Sequence, residues 1–246
     1  MDPEEQDAPA RLPEIVRVFP LTGALVLPRS RLPLHIFEPR YRAMTEAAMA
    51  DDLTIGMIQP MHEEIQAEVG PELGPGLGDE AGESEPELAA VGCLARIDNL
   101  ERLPDGRFTF QLIGLTRFRV VEELPLLDGY RRVVASYADF PDDLRNVAPK
   151  PGQGGFDRAR LLAALKAFLV ARGLSANWPV VERTGDEALV HALAMLCPFA
   201  PGEKQVLLEA GSLADRAGVL IALCEIGAVA PPGGGARPGD PPAVMH

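Results

Sequence analysis

Along Arg107–Val121 the side chains sort by parity. Phe108, Phe110, Leu112, Thr116, Phe118 and Val120 occupy one set of alternate positions, and Arg107, Thr109, Gln111, Arg117 and Arg119 the other. A period of two belongs to a strand with one face buried and one in water, so the segment commits the chain to a sheet with its arginines outward. Val91–Leu103 forms the partner arm. The two are joined by Pro104-Asp105-Gly106, a turn in which glycine can take the left-handed conformation. Gly114, in mid-strand without a side chain, predicts a bend or bulge. Further strands are expected at Ile15–Leu27, where the strand enters a loop, and at Leu32–Phe37, Leu53–Gln59 and Tyr130–Tyr137. Pro33 makes Leu32–Phe37 an edge strand or marks its start, because proline has no N–H to give a ladder. Pro39 stands where a first helical position would take it. From there Tyr41, Met44 and Ala48 recur at helical spacing to about Ala50.

The period changes after a linker rich in proline and glycine, Pro141–Gly155. Leu161, Leu162, Leu165, Phe168 and Leu169 make a helical stripe, capped by Asp157 and stopped by Gly173. Thr184-Gly185-Asp186-Glu187 has capping-box spacing for a helix through Leu196. Pro201 opens a short helix to about Glu209, and Ser212 caps a last one, Leu213–Ile226. The residues predict an α+β chain with a flexible tail at 1–14 and a β-rich part with one helix at 15–140. A linker follows at 141–155, then a four-helix part at 156–227 and a disordered tail at 228–246.

Charge is unevenly spread. The chain carries 36 acids and 23 bases, a net charge of -13, yet no Lys or Arg occurs between Arg42 and Arg96. Twelve acids fall in residues 43–95, and the remainder of the chain is close to neutral. Met61–Glu87 holds nine acids, no bases, five glycines and three prolines, too little apolar surface to offset the entropy of ordering it. A disordered acidic insertion at 61–88 is the expectation. The acidic start lacks a signal peptide's basic and apolar regions, and no apolar run approaches the roughly 18 residues of a membrane span. Three widely spaced cysteines in apolar surroundings, Cys93, Cys197 and Cys224, read as reduced core thiols. A cytoplasmic location without membrane partners is expected.

Catalytic patterns are lacking. The lysines are Lys150, Lys166 and Lys204, and none follows a phosphate-cradling glycine loop. No Gly-x-Ser-x-Gly elbow occurs. His62-Glu63-Glu64 lacks the second histidine that zinc would need one turn later. His191 and Cys197 lie six residues apart, on different helix faces. No enzyme activity, no metal and no cofactor is expected.

One stretch is dense in recognition-type residues: Leu32-Pro33-Leu34-His35-Ile36-Phe37-Glu38-Pro39-Arg40-Tyr41-Arg42. On one reading it is a binding surface at a strand–helix junction. Pro33 marks the edge, His35, Glu38, Arg40 and Tyr41 face outward, and Phe37 and Tyr41 supply apolar contact within a polar rim of Glu38 and Arg40. On the other it is a staple, with Phe37 packed at the helix start, Glu38 facing the helix's positive end and Arg42 paired with Glu46. Residue chemistry leaves both open.

This stretch, preceded by Val16-Arg17-Val18-Phe19-Pro20-Leu21, resembles the opening of the Lon substrate-binding domain family, in particular its small stand-alone bacterial members. Val91-Gly92-Cys93 and Gly114-Leu115-Thr116-Arg117-Phe118-Arg119-Val120 are similar to the family's later strands. Leu196-Cys197-Pro198-Phe199, Glu203-Lys204-Gln205 and Leu207-Leu208-Glu209 resemble its helical part. The resemblance covers roughly residues 15–226. It implies a PUA-like β-barrel with one embedded helix, a C-terminal helical bundle, and recognition of unfolded or client polypeptides upstream of an ATP-driven protease. The chain ends where a full protease would begin its ATPase and peptidase parts, so neither activity carries over, and the acidic insertion is outside the family pattern. The other class in view is an RNA-binding module, since PUA-like barrels often serve RNA. Arg29, Arg31, Arg40 and Arg42, with Arg117 and Arg119, are its candidates. The acidic insertion and the near-neutral remainder argue against nucleic acid.

Overall fold

The computed structural model describes residues 11–61, 85–144 and 154–229. The tails, acidic insertion and linker expected from the sequence fall wholly or largely outside these residues. Six strands and six helices follow in the order β1 (Ile15–Pro20), β2 (Arg31–Ile36), α1 (Pro39–Met49), β3 (Thr54–Ile58), β4 (Val91–Arg102), β5 (Phe108–Leu127), β6 (Tyr130–Ser136), α2 (Arg158–Ala171), α3 (Trp178–Arg183), α4 (Asp186–Leu196), α5 (Pro201–Glu209) and α6 (Leu213–Val229). The fold is α+β, as the periodicities require.

The sheet is mixed: β1 and β3 are parallel, and the other pairings antiparallel. Its order is β2-β5-β4-β3-β1-β6, with β5 also paired to β6. Thus β1, β3, β4, β5 and β6 each have two neighbours in a closed circuit, while β2 lies outside it on β5 alone. The length of β5 permits this. Its first residues, Phe108–Ile113, face β2, and Arg119–Leu127 face β6. Gly114 sits between these stretches, where the β4–β5 register shifts as the sequence predicts. A side chain here would strike the Leu27 carbonyl, because the segment before β2 crosses β5 at this point. Arg29 N donates to Gly114 O at 2.8 Å, and Gly114 N to Ser30 O at 3.0 Å.

Phe118, Val16, Val18, Leu94 and Val133 pack together within the circuit. A larger cluster joins Leu27, Phe108 and Leu112 to helical residues such as Leu165, Phe168 and Leu220, so strands and helices share one core. The two ends of the expected acidic insertion that fall within the described residues meet each other. Pro60 bridges Leu88, Met61 N donates to Glu87 O at 2.6 Å, and Leu88 is buried.

Among the described residues five helices follow the sheet, where the sequence predicts four. The addition is α3, which Asn177 caps by accepting from Val180 N. Asp157 and Ser212 cap α2 and α6 as expected. Thr184 does not cap α4. Its hydroxyl donates back to Val180 O at 2.8 Å, and Gly185 takes the cap position.

The parity rule fails at Arg117, which is 4% exposed. The last turn of α5 leaves carbonyls without intrahelical donors, and α5 packs over this face of β5. Arg117 Nη1 donates to Leu208 O at 3.0 Å and Ala210 O at 2.7 Å. Its Nε and Nη2 grip both Asp143 carboxylate oxygens at 2.8 and 2.9 Å, with Phe140 beneath the guanidinium. From α6, Arg216 donates to Leu207 O at 2.8 Å and meets His191 Nε2 at 3.3 Å. Lys204 Nζ crosses to Gly23 O at 2.8 Å, and Gln205 Nε2 to Val91 O at 3.0 Å.

Replacing Arg117 by Ala removes the counter-charge of the buried Asp143 carboxylate and a donor from the Leu208 and Ala210 carbonyls, and is expected to cost about 3–5 kcal/mol in denaturant unfolding. Arg119→Ala, which removes only the exposed pair with Asp139, should stay within about 1 kcal/mol. Burial, then the charges of Arg216, Arg29 and Arg117, hold the His191 pKa down to about 3. The unfolded chain takes up this proton below about pH 6.5 and the folded one does not. His191 therefore removes up to about 1.4 kcal/mol of stability per pH unit on acidification. Unfolding curves at about pH 6 and 4 should differ less in His191→Gln than in the wild type.

Candidate recognition surface

Strand β2 places alternate side chains outward: Arg31, Pro33 and His35 are exposed, and Ile36 is buried. Pro33 pairs with Gln111 yet has no N–H, so its nitrogen side must face away from β5. By the antiparallel alternation, the N–H and C=O groups of Arg31 and His35 point the same way. Among the described residues no strand covers that edge.

At the end of β2, Phe37 is 63% exposed, and its ring meets His35 edge-on at 6.4 Å. Glu38 is half-buried at the N-cap of α1 without a side-chain cap bond, and accepts from Arg40 Nε at 3.1 Å. Arg40 reaches Glu85 at 3.4 Å and lies over the Tyr41 ring at 4.6 Å. Tyr41 is 6% exposed and stands edge-on to Phe19 at 4.2 Å. Burial raises its phenol pKa.

The expectation that Tyr41 faces outward is therefore corrected. Its position repeats with Met44, Thr45 and Ala48 on the buried stripe of α1, which packs toward the sheet. The staple reading is corrected as well: Phe37 is not packed at the helix start, and Glu46 pairs with Arg102 at 3.1 Å instead of Arg42. The structure brings Pro33, His35 and Phe37 together along one rim, with Arg40 beyond them and Tyr41 beneath.

Behind Arg40 is a hollow of about 150 Å³ lined by Tyr41, Glu85, Pro86 and Arg131. Sequence reasoning missed Arg131, which lies 91 residues after Arg40 and carries no local signal. Its guanidinium is spent on Glu123, at 2.6 Å to each oxygen, and on Pro86 O. The arginines grouped in the sequence do not form a free positive surface. Arg29 faces Glu187, Arg31 faces Asp98, Arg40 faces Glu38 and Glu85, Arg117 faces Asp143 and Arg119 faces Asp139.

The described cysteines are set for packing. All three thiols are free and buried, and burial raises each pKa, to about 11 for Cys197 and about 12 for Cys224. A nucleophilic thiol needs the opposite shift. Among the described residues no group of three or more His, Cys, Asp or Glu could hold a metal ion. No helix there is long and apolar enough to cross a membrane.

A family model for the ATP-dependent protease La (LON) substrate-binding domain matches residues 15–224. Lon protease 2 of Sorangium cellulosum (strain So ce56) is 25% identical over 232 residues, 90% of this chain and 26% of that protein. Lon protease 2 of Myxococcus xanthus is 29% identical over 114 residues, 45% of this chain and 12% of that protein. The chain thus spans a minor part of the curated relatives it matches. A Lon N-terminal domain protein from Xanthomonas campestris shares the fold with a TM-score of 0.53 at 20% identity, covering 85% of this chain and 97% of that one. The N-terminal domain of the Mycobacterium avium complex Lon protease gives 0.53 at 17% identity, with the same coverage.

Tyr41→Ala is expected to lower stability by about 3–5 kcal/mol, as for other buried aromatic truncations. Phe37→Ala should stay within about 0.5 kcal/mol. Urea denaturation of the two variants separates the core residue from the surface one.

Proposed function

The chain belongs to the family of Lon substrate-binding domains, and on that premise we propose that it is a non-catalytic module that holds exposed polypeptide along the free edge of β2. The uncovered edge carries this reading. Pro33 turns its nitrogen away from β5, and the main-chain groups of Arg31 and His35 are left for an extended client. Phe37 and His35 form the apolar part of the rim, and Glu38 and Arg40 the charged part. The closed circuit of pairings supports reading the β-part as a PUA-like barrel with the later helices as its bundle. Buried, unreactive thiols and a His191 bound to Arg216 support a binding role without chemistry. The relatives are named as proteases, so the partner proposed is a protease or its clients, in the cytoplasm. RNA is disfavoured because five of the six candidate arginines already face carboxylates, Arg42 being the exception, and the Arg42 Nε is buried.

Binding of a reduced, carboxymethylated protein should be detectable by fluorescence anisotropy at micromolar to millimolar affinity, since a short edge must offset the ordering of a flexible client. His35→Pro deletes one edge donor, and Phe37→Asp deletes the apolar contact. Each is expected to weaken capture about fivefold or more with the melting temperature little changed. Unaltered capture by both variants, or tighter binding of a mixed-sequence RNA, would overturn the reading.

A further inference from the structure

A cleft of about 340 Å³ opens at the start of β2, between Arg29–Arg31 and the face of α4. Its two ends differ in chemistry. Met195 and Leu196 make one end apolar, and Leu196 is 61% exposed. Arg29, Arg31 and His191 make the other end rich in donors. Glu187 already occupies Arg29, with Nε at 3.0 Å. The Arg31 side chain is 62% exposed and only 3.6 Å from its nearest carboxylate, Asp98.

His191 is the unusual group here. Only 5% exposed, it meets Arg216 Nη1 through Nε2. A guanidinium only donates, so Nε2 must be the unprotonated nitrogen and the neutral ring carries its proton on Nδ1. Among the described residues nothing accepts from Nδ1. The residue is largely buried and lines the cleft, and a donor there with no protein acceptor favours a ligand oxygen.

We propose that this cleft receives the carboxyl-terminal residue of an extended polypeptide, its carboxylate on His191 Nδ1–H and Arg31 and its apolar side chain on Met195 and Leu196. The proposal rests on strand addition at β2. A client antiparallel to β2 runs toward Arg31, and so delivers its carboxyl end to the cleft. A chain terminus carries a carboxylate and an apolar side chain on a single residue, which matches the two ends of a cleft this size. An acidic side chain supplies the carboxylate only by giving up the apolar group. Antiparallel pairing is the more stable choice at an edge.

The test uses labelled twelve-residue unstructured peptides of one sequence, ending in leucine acid, leucine amide or aspartyl amide, titrated into the full chain and its Arg31→Ala variant. The leucine acid is expected to bind about tenfold tighter than its amide, the scale of a charge-assisted hydrogen bond. In Arg31→Ala, whose lost ion pair is exposed, the preference should fall below about threefold with the melting temperature unchanged. Equal binding of acid and amide overturns the proposal and leaves strand addition standing. An aspartyl amide as tight as the leucine acid overturns it in favour of a side-chain reader, as does a preference that survives in Arg31→Ala. Failure of every peptide to bind overturns both readings.

Discussion

The carboxyl end of α5 demands donors, and two buried arginines supply them. Leu207, Leu208 and Ala210 present carbonyls that helix geometry cannot satisfy. Arg216 from α6 and Arg117 from β5 meet them, and Asp143 balances the charge. One cluster thereby fixes the middle of β5, the chain leaving the sheet, and the last two helices. Lys204, Gln205 and Arg29 extend the join. Such groups are costly to bury and costlier to leave half-paired, so the cluster specifies one docking of helices on strands. That docking sets α4 beside the start of β2 and creates the cleft.

The same frame explains why the edge of β2 stays open. Gly114 lets the segment before β2 cross β5 without a clash, and the circuit through β4, β3, β1 and β6 gives the other strands two partners each. Pro33 then limits what the edge can offer. An arriving strand finds donors at Arg31 and His35 but not between them, which holds back runaway pairing while permitting a short, reversible contact.

Buried histidine and buried thiols share a cause. Desolvation keeps His191 neutral and Cys93, Cys197 and Cys224 protonated, so the interior is chemically quiet at neutral pH.

Local rules determined a great deal in the sequence. Period two at Phe108–Val120, the turn at Gly106, the bend at Gly114, Pro39 at a helix start, and the caps Asp157 and Ser212 depend on neighbours a few residues away, and each appears in the structure. The edge position of β2 was legible because proline's missing N–H is a property of one residue. Tertiary structure alone decided the rest. Arg117 is outward by parity but buried in fact, because the carbonyls it serves lie 91 and 93 residues away. Tyr41 turns inward because Phe19 waits there, and Glu46 finds Arg102 rather than Arg42 because β4 brings it close. A side chain's partner is set by what packs against its face, and neither periodicity nor propensity carries that information along the chain.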